Sequence, residues 1–147
     1  MAEPEAAEAG TVEKLLDSRL ESVDTAEQDV LAAAHKLGFD EDDLHRIGMS
    51  VRECMVNAVV HGNRYSARKK VHFAVSKAAD HLTIAIRDEG AGFEYSNLPN
   101  PLSEENLLRQ SGRGLLLIQA FVDKLEVTRT QAGGTEVKMV KYLGKSN

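Results

Sequence analysis

The repeat of apolar residues changes once in the middle of the chain, and this change constrains the fold more than any other feature. From residue 44 to residue 59, apolar side chains recur every three or four positions, which predicts one face of an amphipathic helix. Between residues 71 and 86 they recur at every second position, interrupted by a turn near Ala79 and Asp80. Period two predicts strands, and the short turn predicts that the two strands pair antiparallel. The chain therefore requires at least one helix packed beside a sheet that contains a hairpin.

Weaker patterns predict the other elements. Asp24 followed by Glu27 fits a capping box, so we expect a helix that starts there and ends at Gly38. The acidic run 40–43 favours the start of the central helix, and Gly62 lies near its expected end. The remaining expectations are an ambiguous edge strand at 15–23, a short helix or flap at 103–110, a helix at 115–122 and two strands at 124–130 and 136–143.

These elements predict an α+β two-layer sandwich, in which a mixed, mainly antiparallel sheet carries helices packed on one face. The length of 147 residues and the hydrophobic fraction of 42% fit one domain with one core. The first residues, 1–11, are acidic and lack an apolar run, so we expect a disordered tail followed by a single domain at 12–147.

Composition argues against several classes of protein. The net charge of −5 disfavours a nucleic-acid-binding protein, which usually carries a basic surplus. Apolar runs such as 115–118 are far too short to span a membrane. The single cysteine, Cys54, lies on the apolar side of its helix and cannot form an internal disulfide. We therefore expect a cytoplasmic protein that binds neither membrane nor nucleic acid directly.

The opposite side of that central helix carries Glu53 and Asn57. Four residues apart, they lie about 40° from each other around the helix axis. A carboxylate can accept a proton, and an amide oxygen is a suitable ligand for Mg²⁺. Taken alone, the pair is better explained as part of a solvated helix face.

One glycine-rich segment follows a predicted strand, and another precedes a predicted helix. Asp88 ends a predicted strand, and Gly90 and Gly92 permit close approach of the backbone to a ligand. Gly112 and Gly114 flank Arg113 before a helix, where free amides and a guanidinium favour an anion. Each segment alone also fits an ordinary turn or loop.

A third glycine-containing turn, Gly133–Gly134, precedes Thr135 at the start of the last predicted strand. Alone it is explained by a hairpin. The threonine hydroxyl nevertheless offers a hydrogen bond within a pocket.

Taken in order, these motifs resemble those of the GHKL ATPases, which include gyrase, histidine kinases and mismatch-repair ATPases. Glu53-x-x-x-Asn57 is similar to the N box, Asp88-x-Gly90-x-Gly92 to the first glycine box and Gly112-x-Gly114 to the second. Gly134–Thr135 is similar to the closing threonine element, and the resemblance spans residues 12–143. It implies the Bergerat ATP-binding fold.

Within this superfamily the chain most resembles the bacterial anti-sigma-factor serine/threonine kinases. The short length, the NAVVHGN ending of the N box and the segment 93–101, FEYSNLPNP, carry that resemblance. It implies a kinase that sequesters a sigma factor, phosphorylates a small anti-anti-sigma protein and forms a homodimer.

The resemblance also implies a role for each motif residue. Asp88 would receive the adenine amino group, with Thr135 in support and Gly90 and Gly92 lining the base and sugar. Asn57 would hold Mg²⁺, and Glu53 would act as the catalytic base. Three residues would wrap the phosphates of ATP beneath a lid at 103–111: Gly112, Arg113 and Gly114.

Two other functions remain open at this level. The chain fits a non-catalytic switch that binds ATP or ADP and exchanges partners without phosphate transfer. It also fits a detached histidine-kinase-type ATPase domain, although it contains no phospho-accepting helical hairpin. Arg109 and His61 lie near motifs, but a solvated lid residue and helix-end packing explain them as well.

Overall fold

The computed structural model describes residues 10–90 and 114–144. These residues form five strands and three α-helices. Their bounds are β1 Thr11–Asp17, α1 Glu21–Leu37, α2 Glu41–Val56, β2 Lys70–Lys77, β3 His81–Arg87, α3 Gly114–Phe121, β4 Lys124–Arg129 and β5 Thr135–Tyr142. No helix among them is long and apolar enough to cross a membrane.

The strands form one sheet in the order β1-β2-β3-β5-β4. All four pairings between the described strands are antiparallel, which confirms the mainly antiparallel sheet, and no parallel pair occurs among these strands. The pairs β2–β3 and β4–β5 are consecutive strands, β5 returns past β4 to pair with β3, and β1 pairs with β2 across two intervening helices. The expected hairpin is β2 and β3, in which Phe73 pairs with Ile86 and Val75 with Ile84.

The core lies between one face of the sheet and the helices. Alternate residues of β2 and β3 are buried, and the intervening residues are partly exposed on the other face. Helix α1 packs on β2 and β3, and α2 packs against α1 and α3. This confirms the two-layer arrangement. The largest fully buried side chains are Ile47, Met55, Leu82, Ile84, Ile86, Ile118, Met139, Val23, Val30, Val51 and Val59.

The start of α1 differs from the expectation. The helix begins at Glu21, and its N-cap residue, Leu20, makes no side-chain capping bond, so Asp24 is not the cap. The chain leaves β1 through a turn in which Ser22 Oγ donates to Asp17 O at 2.7 Å, and this turn leads directly into the helix. Asp24 instead lies in the first turn and accepts from Arg52 at 2.9 Å.

The edge strand is present but lies earlier than the segment 15–23. It begins at Thr11, and the expected segment therefore contains its end, a turn and the start of α1. The other helix signals are confirmed. Gly38 ends α1 with φ of 105°, and Asp40 caps α2 by accepting from Asp43 N at 2.8 Å.

Helix α2 changes its winding at the N box. Residues Asn57–Gly62 continue it as a π-helical turn, which Asn63 closes by donating from its N–H to Ala58 O at 2.8 Å. The next two residues, Arg64 and Tyr65, have φ of 54° and 60°. A π-turn adds a residue to the helical repeat and so redirects the chain that follows it. Here it carries Gly62 and Asn63 toward the end of β3.

Candidate nucleotide-binding site

Asp88 directly follows β3 and is 4% exposed. Its carboxylate oxygen Oδ1 accepts hydrogen bonds from the backbone N–H groups of Gly90 and Thr135, both at 3.2 Å. Its own N–H donates to Thr135 O at 3.0 Å. The end of β3 and the start of β5 thus hold the carboxylate in one orientation.

Burial sets the charge of this carboxyl group. Loss of hydration raises the pKa of Asp88 to about 6, although the two backbone hydrogen bonds and the charges of Lys69 and Arg129 oppose that rise. Above pH 6 the group is therefore mainly a carboxylate and accepts hydrogen bonds. A buried acceptor of this kind suits the amino group of a purine ring.

Glycines bring backbone close to Asp88 on three sides. A Cβ atom at Gly62 would overlap Oδ2 of the carboxylate, and one at Gly134 would overlap the Asp88 carbonyl oxygen. A Cβ atom at Gly90 would overlap the carbonyl oxygen of Gly62. Sequence reasoning treated Gly62 only as a helix end and missed its place in the site. Its position right after the N box was the available signal.

Thr135 carries an unsatisfied hydroxyl beside this carboxylate. The residue is 5% exposed, and its Oγ1 is buried without a hydrogen-bond partner among the described residues. Leaving a buried hydroxyl unpaired costs about 1–3 kcal/mol. A bound ligand that hydrogen-bonds to Oγ1 would remove that cost, so Asp88 and Thr135 together fit an adenine ring.

Glu53 is the first residue of the segment that resembles the N box. It is partly buried on α2, and a Cβ atom added at Gly114 would overlap its carboxylate. The N box and the end of the second glycine box therefore meet, as the resemblance implies. Asn57 is partly buried four residues further on, where the π-helical turn begins.

Three of the predicted site residues, Gly92, Gly112 and Arg113, lie outside the described residues, as do Arg109 and the expected lid. Their roles remain predictions. His61 is exposed on the π-helical turn.

The described residues contain no group of three His, Cys, Asp or Glu side chains that could hold a metal ion. A magnesium ion that arrives with a nucleotide needs no such group, because it keeps several waters and takes one or two protein ligands beside the phosphates. The amide oxygen of Asn57 is an oxygen donor of the type that Mg²⁺ accepts. The residues present thus fit Mg²⁺ with ATP.

The strand-end carboxylate of Asp88, the unsatisfied hydroxyl of Thr135 and the Glu53–Asn57 pair at the end of α2 fit a nucleotide-binding α+β domain. A family model described as the histidine kinase-like ATPase domain matches residues 16–141. The chain belongs to this family, and the GHKL resemblance drawn from its motifs is confirmed.

Curated relatives with similar sequences are anti-sigma factors. Anti-sigma F factors of Bacillus thuringiensis (strain Al Hakam) and Bacillus anthracis (strain A0248) are each 32% identical to this chain over 108 residues. Each alignment covers 72% of this chain and 74% of the relative.

A solved structure confirms the fold class. The crystal structure of the RsbU and RsbW domains of Rv1364c from Mycobacterium tuberculosis matches with a TM-score of 0.64 and 19% sequence identity. The match covers 89% of this chain and 32% of that one, so this chain spans about a third of that protein's length. At this identity the similarity concerns the fold alone.

Proposed function

We propose that this chain is an ATP-dependent serine/threonine protein kinase that acts as an anti-sigma factor. The observation that carries the nucleotide part is the buried carboxylate of Asp88 beside the unsatisfied hydroxyl of Thr135. The anti-sigma part is supported by the relatives, which are named anti-sigma F factors.

ATP is the proposed nucleotide because the Asp88 carboxylate is an acceptor. An adenine ring presents an amino group to it, whereas a guanine or hypoxanthine ring presents a carbonyl oxygen at the same position. Two acceptors facing each other in a buried site would leave both without a donor. The Thr135 hydroxyl is placed to add a second hydrogen bond, directly or through a water molecule.

The phosphates would extend from this pocket toward Glu53 and Gly114. When bound, ATP would supply the transferable phosphoryl group, and Mg²⁺ would neutralise part of its negative charge. Glu53 would take the proton from the hydroxyl of the protein substrate, and Asn57 would hold the metal ion. Three further residues would contact the nucleotide: Gly92 at the sugar, and Gly112 and Arg113 at the phosphates.

The proposed partners are a sigma factor and a small anti-anti-sigma protein. The kinase would phosphorylate a serine or threonine of the latter. A phosphate adds a charge of about −1.5 to −2 at pH 7, and at a protein interface this charge repels acidic neighbours and disrupts burial. Phosphorylation would therefore separate the substrate from the kinase and free the kinase to bind the sigma factor.

We further propose a homodimer formed through the outer face of the sheet, the face away from the helices. This face has a groove of about 420 Å³ beside Leu15, which is 63% exposed on the edge strand. Acidic and basic side chains line it, among them Glu13, Glu136 and Arg87. A twofold contact brings the same patch to itself, so acidic side chains of one protomer would have basic side chains of its partner available as ion-pair partners. Sedimentation equilibrium of the wild-type chain and of Leu15→Glu tests this proposal. The charge introduced on the outer face should weaken the dimer, and a wild-type chain that is monomeric at all concentrations contradicts the proposal.

The test of the kinase is Glu53→Gln. A general base supplies about 10²–10⁴-fold of the rate, so transfer of radiolabelled phosphate from ATP to the partner should fall by that factor. The dissociation constant for ATP should stay nearly constant. Glu41→Gln, an exposed change at the start of the same helix, is the matched control.

The outcome also separates a kinase from a non-catalytic switch. If the wild-type chain binds ATP and its partner but transfers no phosphate, the kinase proposal is wrong. If Glu53→Gln abolishes transfer and sigma-factor regulation together, catalysis is part of the function.

A further inference from the structure

Asn63, the last residue of the NAVVHGN segment, is a buried polar residue to which the sequence analysis gave no role. It is 1% exposed and follows the π-helical turn directly. Burying an amide costs free energy unless its donors and acceptor are hydrogen-bonded. The burial of the Asn63 amide therefore needs a physical explanation.

The amide of Asn63 joins four segments of the chain. Its Nδ2 donates to Ser18 Oγ at 2.9 Å, after β1, and to Lys70 O at 3.0 Å, at the start of β2. Its Oδ1 accepts from the backbone N–H of Glu89 at 2.8 Å. Ser18 Oγ in turn donates to Lys69 O at 2.7 Å. Both amide protons and the oxygen are thus used, which fixes the side chain in one orientation.

We propose that Asn63 is a positioning residue for the adenine site, an inference that rests on the proposed nucleotide binding. The peptide group that ends in Glu89 N begins at the carbonyl of Asp88. By holding that N–H, Asn63 fixes the plane of the peptide and with it the direction in which the Asp88 side chain leaves the backbone. Asn63 contacts neither nucleotide nor metal in this account.

The other contacts of Glu89 act on its side chain and cannot replace this one. The Glu89 carboxylate is hydrogen-bonded to His72 Nε2 at 2.6 Å, and Arg87 donates to His72 Nδ1 at 3.0 Å. Those bonds hold the end of a rotatable side chain on the outer face of the sheet. The bond from Asn63 acts on the backbone itself, one residue from Asp88.

The same bond keeps the glycine turn in place. Gly90 N donates to Asp88 Oδ1, and Gly90 packs so closely on the Gly62 carbonyl that a Cβ atom would overlap it. Asn63 directly follows Gly62, so its bond to Glu89 N–H holds the glycine turn against the Gly62 carbonyl. Without its side chain, the segment 88–90 loses the backbone anchor that joins it to the end of α2.

The test compares Asn63→Ala with Ser18→Ala. The first removes the Glu89 bond, whereas the second removes the two hydrogen bonds of Ser18 Oγ, with Asn63 and with Lys69, and leaves Glu89 held. For each variant, calorimetry gives the dissociation constants of three ligands with Mg²⁺: ATP, inosine triphosphate and inorganic tripolyphosphate. Inosine triphosphate has an oxygen where adenine has its amino group, and tripolyphosphate has no base.

We expect Asn63→Ala to raise the dissociation constant for ATP roughly tenfold, the equilibrium effect of about one hydrogen bond. The preference for ATP over inosine triphosphate should fall by a similar factor, and tripolyphosphate binding should not change. Ser18→Ala should keep the preference. A merely structural role would weaken all three ligands alike, and that result, or an unchanged preference, would overturn the inference.

A second measurement needs no variant and covers the case in which Asn63→Ala does not fold. Amide hydrogen exchange of the nucleotide-free wild-type chain should show Glu89 N–H protected. Exchange at the rate of an unstructured amide would overturn the inference. If the wild-type chain binds no ATP at all, the proposed function fails as well, whereas ATP binding with an unchanged base preference in Asn63→Ala refutes the Asn63 inference alone.

Discussion

Replacement of Asp88 by Asn should stabilise the nucleotide-free chain while it weakens nucleotide binding. The side chain is 4% exposed, and burial raises its pKa from 3.8 to about 6. A pKa raised by about 2 units corresponds to about 3 kcal/mol, at 1.36 kcal/mol per unit. Above pH 6 the wild-type chain buries a charge at that cost, and an amide of the same shape removes the charge.

The sign of the pH dependence follows from this shift. A folded-state pKa above the unfolded value means that the folded chain holds the proton more tightly. The stabilising contribution of Asp88 is therefore fully present below pH 3.8 and is lost as the pH rises through about 6. Asp88→Asn should be about 3 kcal/mol more stable than wild type at pH 8, and the difference should vanish near pH 4.

Urea unfolding followed by far-ultraviolet circular dichroism at pH 8, 6 and 4 measures these differences. In the variant, the amide oxygen should take the two hydrogen bonds that Oδ1 accepts from Gly90 and Thr135. Its NH₂ group would then face the adenine amino group, so the dissociation constant for ADP should rise tenfold or more. A variant no more stable than wild type at pH 8, or a difference that does not depend on pH, would refute this reasoning.

Three further substitutions test the site. Thr135→Val removes a buried hydroxyl with no partner among the described residues, so we expect the nucleotide-free chain to gain about 1 kcal/mol in urea unfolding and to bind ATP more weakly; a loss of stability without nucleotide would contradict this. Gly62→Ala places a Cβ atom on the Asp88 carboxylate and should abolish ATP binding measured by calorimetry. Gly38→Ala is its control: with φ of 105° and nothing within 4 Å, it should cost about 1 kcal/mol of unfolding free energy and leave the ATP dissociation constant unchanged. Equal ATP affinity in the two glycine variants would contradict the proposed packing.

The parts of the fold that follow from local sequence could be predicted. The three- and four-residue repeat of α2 and the alternation in β2 and β3 report which side chains are buried, because each pattern has the period of its element. The same alternation placed Asp88 at the end of β3, whereas its role as the adenine acceptor came from the resemblance to the GHKL ATPases. The first strand was placed too late, at 15–23, because its residues are mostly exposed at the sheet edge and give no clear period.

The features that sequence reasoning missed depend on contacts between distant segments. Asn63 reads as an ordinary residue after a helix, and its burial arises from partners near residues 18, 70 and 89. Gly62 is needed because Asp88, 26 positions later, occupies the space of a side chain. The predicted start of α1 was wrong because the turn after β1, in which Ser22 Oγ donates to Asp17 O, begins the helix at Glu21, before Asp24.

The most direct test of the central claim is a crystal structure of this chain with Mg²⁺ and ADP. The account predicts that the adenine amino nitrogen lies about 3 Å from a carboxylate oxygen of Asp88. It also predicts that Thr135 Oγ1 has a hydrogen-bond partner, either the ring or a water molecule that the ring holds. An adenine ring bound elsewhere, with Asp88 and Thr135 arranged as they are without nucleotide, would contradict it.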